Sequence, residues 1–578
     1  MFFFNMKALR FLIIASLLLI PLATSKLVLA QSVTISLDPS ITYQTITGWS
    51  ATAQAGETEC SGYDLYQNDL FNMAADDLGI SRLHVSIRSG VENTRDYYAE
   101  FLAGQMDYDT YRSLRFWTVN DNEDPYTINW DGYHFAFIDT VIEKVYLPMK
   151  QRVEANGEKP FLNVTYTAFT RQIDPSLSYI HDDPQEYAEF VLATYLHLQE
   201  KYGLVPDAWE ILLEPDNVPQ WNGSLIGKAI VASAQRLQEH GFTPVFAAPS
   251  TTSMQNASLY FDAMVSVPGA VDYVRDLVYH RYRDVSVANL RAIADRAARY
   301  NVNSAMLEHI GSGYQDLHED LKIGMNTSWQ QFALAFCDKA DKGRTYYLID
   351  DSNPAIPKLN IGSRTKLLRQ YFKFIRPGAV RFEARSDNVI FDPLAFVNPN
   401  GGYVLVVNAQ SGGSFVVRDL PEGIYGIKYS TPKEYDMNLP DISLAAGQVM
   451  QAEIPYQGVI TIYLKSAPTP TSTPSFTPTI ANTATQALPS AISNVQQAAV
   501  IQASPAIPTP TKHNKPPQLA PTQSNLLPKA TAGGNPTDQA SIAGEKLADR
   551  RNPIGCLPIS TGIVVLSSSL AIFRRREH

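Results

Sequence analysis

Arg82-Leu83-His84-Val85-Ser86-Ile87-Arg88 places polar and apolar residues on strictly alternating positions. A period of two is that of a β-strand, whose successive side chains point to opposite faces. One face carries Leu83, Val85 and Ile87; the other carries two arginines, a histidine and a serine. Such a polar face does not suit a dry core, because each unpaired buried polar group costs about 1–3 kcal/mol. Leu162-Asn163-Val164-Thr165-Tyr166-Thr167 repeats the pattern, with Asn163, Thr165 and Thr167 on the polar side. Two such strands belong in a closed barrel, with the apolar face under helices and the polar face lining a site.

The surrounding chain agrees. Between Thr45 and Arg376, β-branched runs at 44–50, 81–87, 160–167, 207–213, 243–248, 276–282, 303–308 and 345–350 alternate with amphipathic stretches such as 65–78, 134–153, 184–201, 225–240, 287–299 and 328–340. Eight strands separated by helices predict a parallel sheet, and eight is the number that closes into a (β/α)₈ barrel, here residues 41–376. From Ala379 the helical patterns stop, and short strands with turns such as Asn400-Gly401-Gly402 predict an all-β sandwich over 377–466. Residues 31–40, with Val33, Ile35 and Leu37 alternating, are predicted to supply that sandwich with a first strand.

The ends of the 578-residue chain read differently. Lys7 and Arg10 precede an apolar run from Phe11 to Ala23, and Val28-Leu29-Ala30 offers a cleavage site, so 1–30 is read as a signal peptide. Residues 467–553 hold 14 of the 37 prolines and one aromatic, Phe476, the composition of a stalk that buries no core. Ile554–Phe573 is apolar or small throughout, long enough for a transmembrane anchor, and 574–578 forms a basic cytoplasmic tail. Leu557-Pro558-Ile559-Ser560-Thr561-Gly562 resembles the LPxTG cell-wall sorting signal, with one extra residue between Pro and Thr. The folded part is thus expected on the extracellular face of the membrane, or associated with the wall.

A net charge of −10 without a basic stripe excludes a nucleic-acid binder. Three cysteines are too few for a disulfide framework or a zinc site; a Cys60–Cys337 bridge is the single pairing open within the folded part, and two buried thiols are the expectation.

Two carboxylates stand where a barrel keeps its chemistry. Glu214 ends the fourth run, in Trp209-Glu210-Ile211-Leu212-Leu213-Glu214-Pro215, and Glu308 ends the seventh, in Met306-Leu307-Glu308-His309. C-terminal strand ends face one another across the mouth of this fold, and paired carboxylates suit glycoside hydrolysis. Arg82 and Tyr282 are expected to separate their pKa values. Glu210 reads as a buried partner of a base such as Arg82, and Asp350 and Asp351 as loop caps. Trp49, Trp117, Trp130 and Trp221 are candidate platforms for sugar rings.

The flanks of the barrel resemble those of glycoside hydrolase family 30. Tyr43-Gln44-Thr45-Ile46-Thr47-Gly48-Trp49-Ser50 looks like the Q-x-I-x-G-F/W stretch leading into that family's barrel. Phe372-Lys373-Phe374-Ile375-Arg376-Pro377-Gly378-Ala379-Val380-Arg381 resembles the segment by which it leaves the barrel for its side β-sandwich. The resemblance covers about residues 32–466 and implies a retaining clan in which Glu214 is the acid/base and Glu308 the nucleophile. His280-Arg281-Tyr282 matches the clan's His-x-Tyr, and Arg82 its strand-2 arginine. Two positions depart: Leu213 replaces the usual Asn before the acid/base, and 345–350 ends without the Trp that floors the reacting sugar's subsite.

Together these readings predict a secreted, surface-anchored, monomeric retaining glycoside hydrolase of β-linked poly- or oligosaccharides. It takes a carbohydrate substrate through Arg82, Asn163, His280, Tyr282, Trp49 and Trp221. No metal and no cofactor are expected, since no cluster with ligand spacing is visible. The alternative is a non-hydrolytic carbohydrate-binding surface protein on the same scaffold, which Leu213 and the missing Trp favour; a lyase or transglycosylase would use the same carboxylates.

Overall fold

The computed structural model describes residues 33–169, 181–338 and 340–467. Val33–Thr45 forms β1, and eight strands follow: β2 (Gly48–Thr52), β3 (Ile80–Arg88), β4 (Phe161–Thr167), β5 (Ala208–Glu210), β6 (Phe246–Ser253), β7 (Val274–Arg283), β8 (Asn303–Glu308) and β9 (Asn326–Phe336). Each pairs in parallel with the next, and β9 also pairs in parallel with β2, so the ring closes. The apolar faces of β3 and β4 pack beneath the outer helices, with Leu83, Val85 and Ile87 at most 3% exposed.

The eighth strand is not where the sequence places it. Residues 328–340, expected to be helical, supply β9; residues 345–350, expected to be the eighth strand, form β10 (Thr345–Asp350), which continues the sheet outside the ring. The stretch Trp329-Gln330-Gln331-Phe332-Ala333-Leu334-Ala335 is rich in helix formers, but tertiary closure overrides propensity. Beyond Glu308, β10 takes over from β8 as partner of Ala333–Phe336, and it pairs antiparallel with β11 (Lys358–Ile361).

This geometry also corrects the cysteines. β9 runs up to Phe336 beside β2, which carries Cys337 to the loop after β2, where it is bridged to Cys60 with the two Cα atoms 5.6 Å apart. The bridge spans 277 residues of sequence and holds the ring across its closing seam.

Eight further strands, β12 (Val380–Ser386), β13 (Phe391–Val397), β14 (Tyr403–Ala409), β15 (Gly413–Arg418), β16 (Gly423–Ser430), β17 (Met437–Leu444), β18 (Met450–Ile454) and β19 (Gly458–Ser466), join β1 in one nine-stranded sheet. β1 lies between β12 (antiparallel) and β15 (parallel) and is longer than the predicted 31–40. The sheet curls around its own core, in which Ile35 and Leu37 meet Phe382, Phe415, Tyr425 and Ile454.

Its other face is sealed to the barrel. Leu394, Phe396, Val404, Val406 and Val459 belong to the barrel's apolar cluster, and the Phe374 and Tyr463 rings lie 4.6 Å apart. Arg369, on the last barrel helix (Thr365–Phe372), pairs with Asp77 of the barrel and Asp436 of the sheet, both at 2.6 Å. The two connections run side by side: Gly378 donates to the Ile46 carbonyl at 2.7 Å, and Ile46 donates to Ala379 at 2.8 Å. Gly378 has φ +87°, and a Cβ there would meet Pro399 Cγ at 2.7 Å, so glycine is required at this corner.

Among the described residues no helix is long and apolar enough to cross a membrane. The expected signal peptide, transmembrane anchor and basic tail, and the stalk beyond residue 467, lie outside the described residues.

Two outcomes follow from these contacts. A chain comprising only 41–376 should aggregate, as read by size-exclusion chromatography, because both apolar faces of the seam become exposed; a monodisperse, cooperatively unfolding 41–376 would show that the sandwich is dispensable. Reducing Cys60–Cys337, or Cys60→Ser, should lower the unfolding midpoint, with a loss on the order of 2–4 kcal/mol for so long a loop.

Candidate active site

The polar faces of β3 and β4 end in a cleft of about 200 Å³ at the C-terminal mouth of the barrel. Its walls are Thr52, His84, Ser86, Arg88, Thr165, Thr167, Glu210, Leu213, Glu214, His280, Glu308, Gln330 and Phe332, together with Arg115 and Phe116 from the long loop after β3.

Glu214 does not end a regular strand. β5 stops at Glu210, and the chain then bulges so that Leu213 donates its N–H to the Tyr166 carbonyl and Glu214 donates to that of Ser250 at 3.0 Å. Glu214 sits in the left-handed region at φ 55°, ψ 55°, which a non-glycine residue holds only when its surroundings impose it. Asp216 imposes it: its carboxylate accepts from Thr252 N and Oγ1, Ser253 N, Asn256 Nδ2 and Arg283 Nη2. The Glu214 carboxylate then accepts from Asn217 Nδ2 at 2.9 Å and faces His280 Nδ1 at 3.2 Å.

Glu308 faces it. Tyr282 Oη donates to Glu308 Oε1 at 2.7 Å, and Ile310 N–H fixes the Tyr282 oxygen from behind at 3.2 Å. One oxygen of each glutamate and an imidazole nitrogen of His280 lie within 4.8 Å of one another. Burial pushes the Glu308 carboxyl up to about 7; the Glu214 charge adds to this, while the His280 charge and the Tyr282 hydrogen bond oppose it. Burial disfavours charge on His280, yet Glu214, Glu308 and Glu210 together raise its pKa. These are also described residues whose donor atoms come close enough to hold a cation. With His280 raised toward its protonated form, the trio also brings a proton donor up to both carboxylates.

Glu210, one layer down, is buried but not paired with Arg82. Asn163 Nδ2, Thr165 Oγ1 and Ser250 Oγ donate to it, and His84 lies 3.5 Å away. Burial raises its carboxyl, but the His84 and Ser250 hydrogen bonds outweigh that and hold it below the ordinary range.

Four expected substrate contacts lie elsewhere. Arg82 shares the inward face of β3 but at its opposite end, about 20 Å below Arg88 at ~3.3 Å per residue. It is 4% exposed, 3.6 Å from Asp276 and stacked over Phe161, so Arg88 is the β3 arginine at the mouth, and Arg82 cannot separate the glutamate pKa values. Trp49 was expected at a strand end, but β2 begins at Gly48; the indole is buried, stacked 4.4 Å from Phe372 and donating to the Ile375 carbonyl. Trp221 is buried against Tyr187. Asn163 lies beneath the cleft, holding Glu210 and His84, where it positions rather than contacts substrate. Trp117 stacks on Tyr97, and Trp130 lies outside the cleft. Of the loop aspartates, Asp350 caps Ser352 and Asp351 accepts from Ser61.

The sequence reading missed Asn217, Ser250, Arg88, Arg115, Gln330 and Phe332. Phe332 was hidden by the misplaced eighth strand: at the upper end of β9 it offers the cleft an aromatic face. Arg88 stood in plain view at the C-terminal end of the same alternating run.

No protein-family model matches this chain, and neither does any curated protein. Solved structures do. A glycoside hydrolase family 30 endoxylanase from Clostridium papyrosolvens C71 is 16% identical with TM-score 0.53, the match covering 75% of this chain and 100% of that one. A family 30 subfamily 8 xylanase from Clostridium acetobutylicum is 17% identical with TM-score 0.53, over 74% of this chain and 99% of that one. The endo-β-1,6-glucanase BT3312 is 15% identical with TM-score 0.51, over 75% and 94%. At these identities the likeness is one of fold: the chain has the (β/α)₈ barrel with attached β-sandwich of glycoside hydrolase family 30 structures.

Proposed function

We propose that the protein is a retaining glycosidase of β-linked oligo- or polysaccharides. The observation that carries this reading is the convergence of Glu214 and Glu308 oxygens within 4.8 Å at the mouth of the barrel. Retaining enzymes hold their carboxyls about 5–5.5 Å apart, whereas inverting ones leave room for a water at about 6.5–9.5 Å.

In the first step the Glu308 carboxylate attacks the anomeric carbon while Glu214 gives its proton to the departing glycosidic oxygen, leaving a covalent glycosyl-enzyme. Glu214, now ionised, takes a proton from water, which attacks the same carbon from the opposite face and releases Glu308. Tyr282 aims the nucleophile. His280, between the two acids, offsets charge as it passes from one to the other.

The cleft adjoins a cavity of about 450 Å³ that shares Gln54, Arg88, Arg115 and Phe332 with it and adds Tyr98, Phe101, Tyr108 and Phe137. Room with aromatic walls beside the reacting site suits a substrate longer than one sugar. Xylan and β-1,6-glucan, suggested by the similar structures, head the panel to be screened. An extracellular, anchored location is part of the same proposal; its support is the Cys60–Cys337 bridge, of a kind that persists in oxidising compartments, with the apolar segments near both ends of the chain.

Exchanged roles have one observation in their favour, since an elevated carboxyl such as Glu308 suits an acid. Azide separates the two. With an activated aryl β-glycoside, Glu214→Ala and Glu308→Ala should each lose at least about 10³-fold in hydrolysis. Azide should then yield the β-glycosyl azide from the former and the α-anomer from the latter; the reverse pairing would exchange the roles. Wild-type turnover in both variants would leave the non-hydrolytic carbohydrate-binding reading.

The pH dependence has a definite sign. Glu308 attacks only when ionised, so kcat/KM should fall as pH drops through about 7. A carboxyl raised on folding favours the folded state while protonated and costs stability once ionised. Glu308→Gln should therefore raise the unfolding midpoint at pH 8 and leave it nearly unchanged at pH 4.

A further inference from the structure

The long loop between Arg88 and the helix Ala136–Val141 crosses the N-terminal end of the helix Pro184–Tyr202, and acids accumulate at the crossing. Glu186 and Glu189, one turn apart, come from the helix; Glu92 and Asp121 come from the loop. Glu189 is 1% exposed, and neither of its carboxylate oxygens has a hydrogen-bond partner. Asp121 Oδ1 and the Asn120 amide oxygen are likewise buried and unpartnered. A carboxylate stripped of water without hydrogen bonds is among the costliest groups a fold can bury.

The other members do not relieve it. Glu92 is spent: Oε1 accepts the Asp121 N–H at 2.7 Å and Oε2 meets His181 at 2.5 Å. Arg236, whose charge opposes that of Glu189, is 5% exposed and donates to the Pro125 carbonyl at 2.6 Å and to Gln185 Oε1 at 3.2 Å instead. Burial pushes the Glu189 carboxyl up to about 8, with Asp121, Glu186 and Glu92 adding repulsion and Arg236 opposing. Burial likewise raises Asp121 and Glu186, each with Glu92 among its repelling neighbours.

We propose that Glu189, Asp121 and Asn120 form a calcium site, with Glu186 at its edge and water completing the shell. The free donors are all oxygens, two carboxylates and an amide, the set a hard divalent cation takes. No thiol stands among them, and the nearby imidazole of His181 is engaged by Glu92 and Tyr166. The site lies apart from the catalytic cleft but acts on its wall: a cation there ties the loop that carries Arg115 and Phe116 to the helix behind it.

The test uses the full chain after EDTA treatment and exchange into chelator-free buffer. Adding 1 mM calcium chloride should raise the unfolding midpoint by several degrees, and magnesium at the same concentration by less. Isothermal titration should give one calcium site, weakened at least tenfold in both Glu189→Gln and Asp121→Asn, with Glu308→Gln binding as wild type. No calcium-dependent shift in the wild-type chain would overturn the site. So would undiminished binding in both loop-and-helix variants, or binding that Glu308→Gln abolishes, which would place the cation among the catalytic carboxylates.

Discussion

The closing pair of β9 with β2 is the constraint on which the rest depends. An open parallel sheet would expose unpaired backbone at both edges and splay its strand ends apart. Closure removes the edges and turns eight strand ends into a ring, so that Glu214 and Glu308, 94 residues apart in sequence, share one imidazole. The seam is reinforced on every side: the Cys60–Cys337 bridge at the mouth, Trp49 stacked on Phe372 on the flank, and the paired Ile46 and Gly378 connections.

The cleft accepts cost in exchange for chemistry. Glu214 and Ser250 both hold left-handed backbone, at φ 55° and φ 60°, and each accepts strain on the order of ~1–3 kcal/mol because its neighbours over-determine it. Asp216 gathers five donors from β6, its following helix and β7, anchoring the bulge that aims Glu214. Beneath it, Glu210 is held by hydroxyl and amide donors and by the His84 imidazole 3.5 Å away, not by an arginine. The polar face of β3 and β4, costly in a core, is met in layers, with an ion pair at the base, a hydrogen-bonded acid in the middle and the reactive pair at the top, while Arg82 Nε, His84 Nε2, Asn163 Oδ1 and Thr167 Oγ1 stay buried without a hydrogen-bond partner.

The alternation in β3 and β4 was legible because a buried barrel strand writes its two faces directly into the sequence. Glu214 and Glu308 could be singled out because each ends a run read as a barrel strand, although β5 itself stops at Glu210. What could not be read was height along the strand: Arg82 and Arg88 share a face and a chemical type, and period alone does not say which end is the mouth. The eighth strand was illegible for another reason. Gln330, Gln331, Ala333 and Ala335 carry little β-propensity, and only the vacancy between β8 and β2 makes an extended conformation the better one. That misplacement hid Phe332 and the pairing of Cys337 together.

The interleaving of β1 has a consequence for the order in which the molecule assembles. Val33–Thr45 is the first element of the described chain to leave the ribosome, yet its partners β12 and β15 begin at Val380 and Gly413. β2 likewise waits for β9, nearly three hundred residues on. Contacts this distant in sequence form slowly, because the intervening loop must be ordered before they reward it. The first strand therefore stays without a partner until almost the whole globular part has been made, and the chain cannot complete its fold from the N-terminus forward.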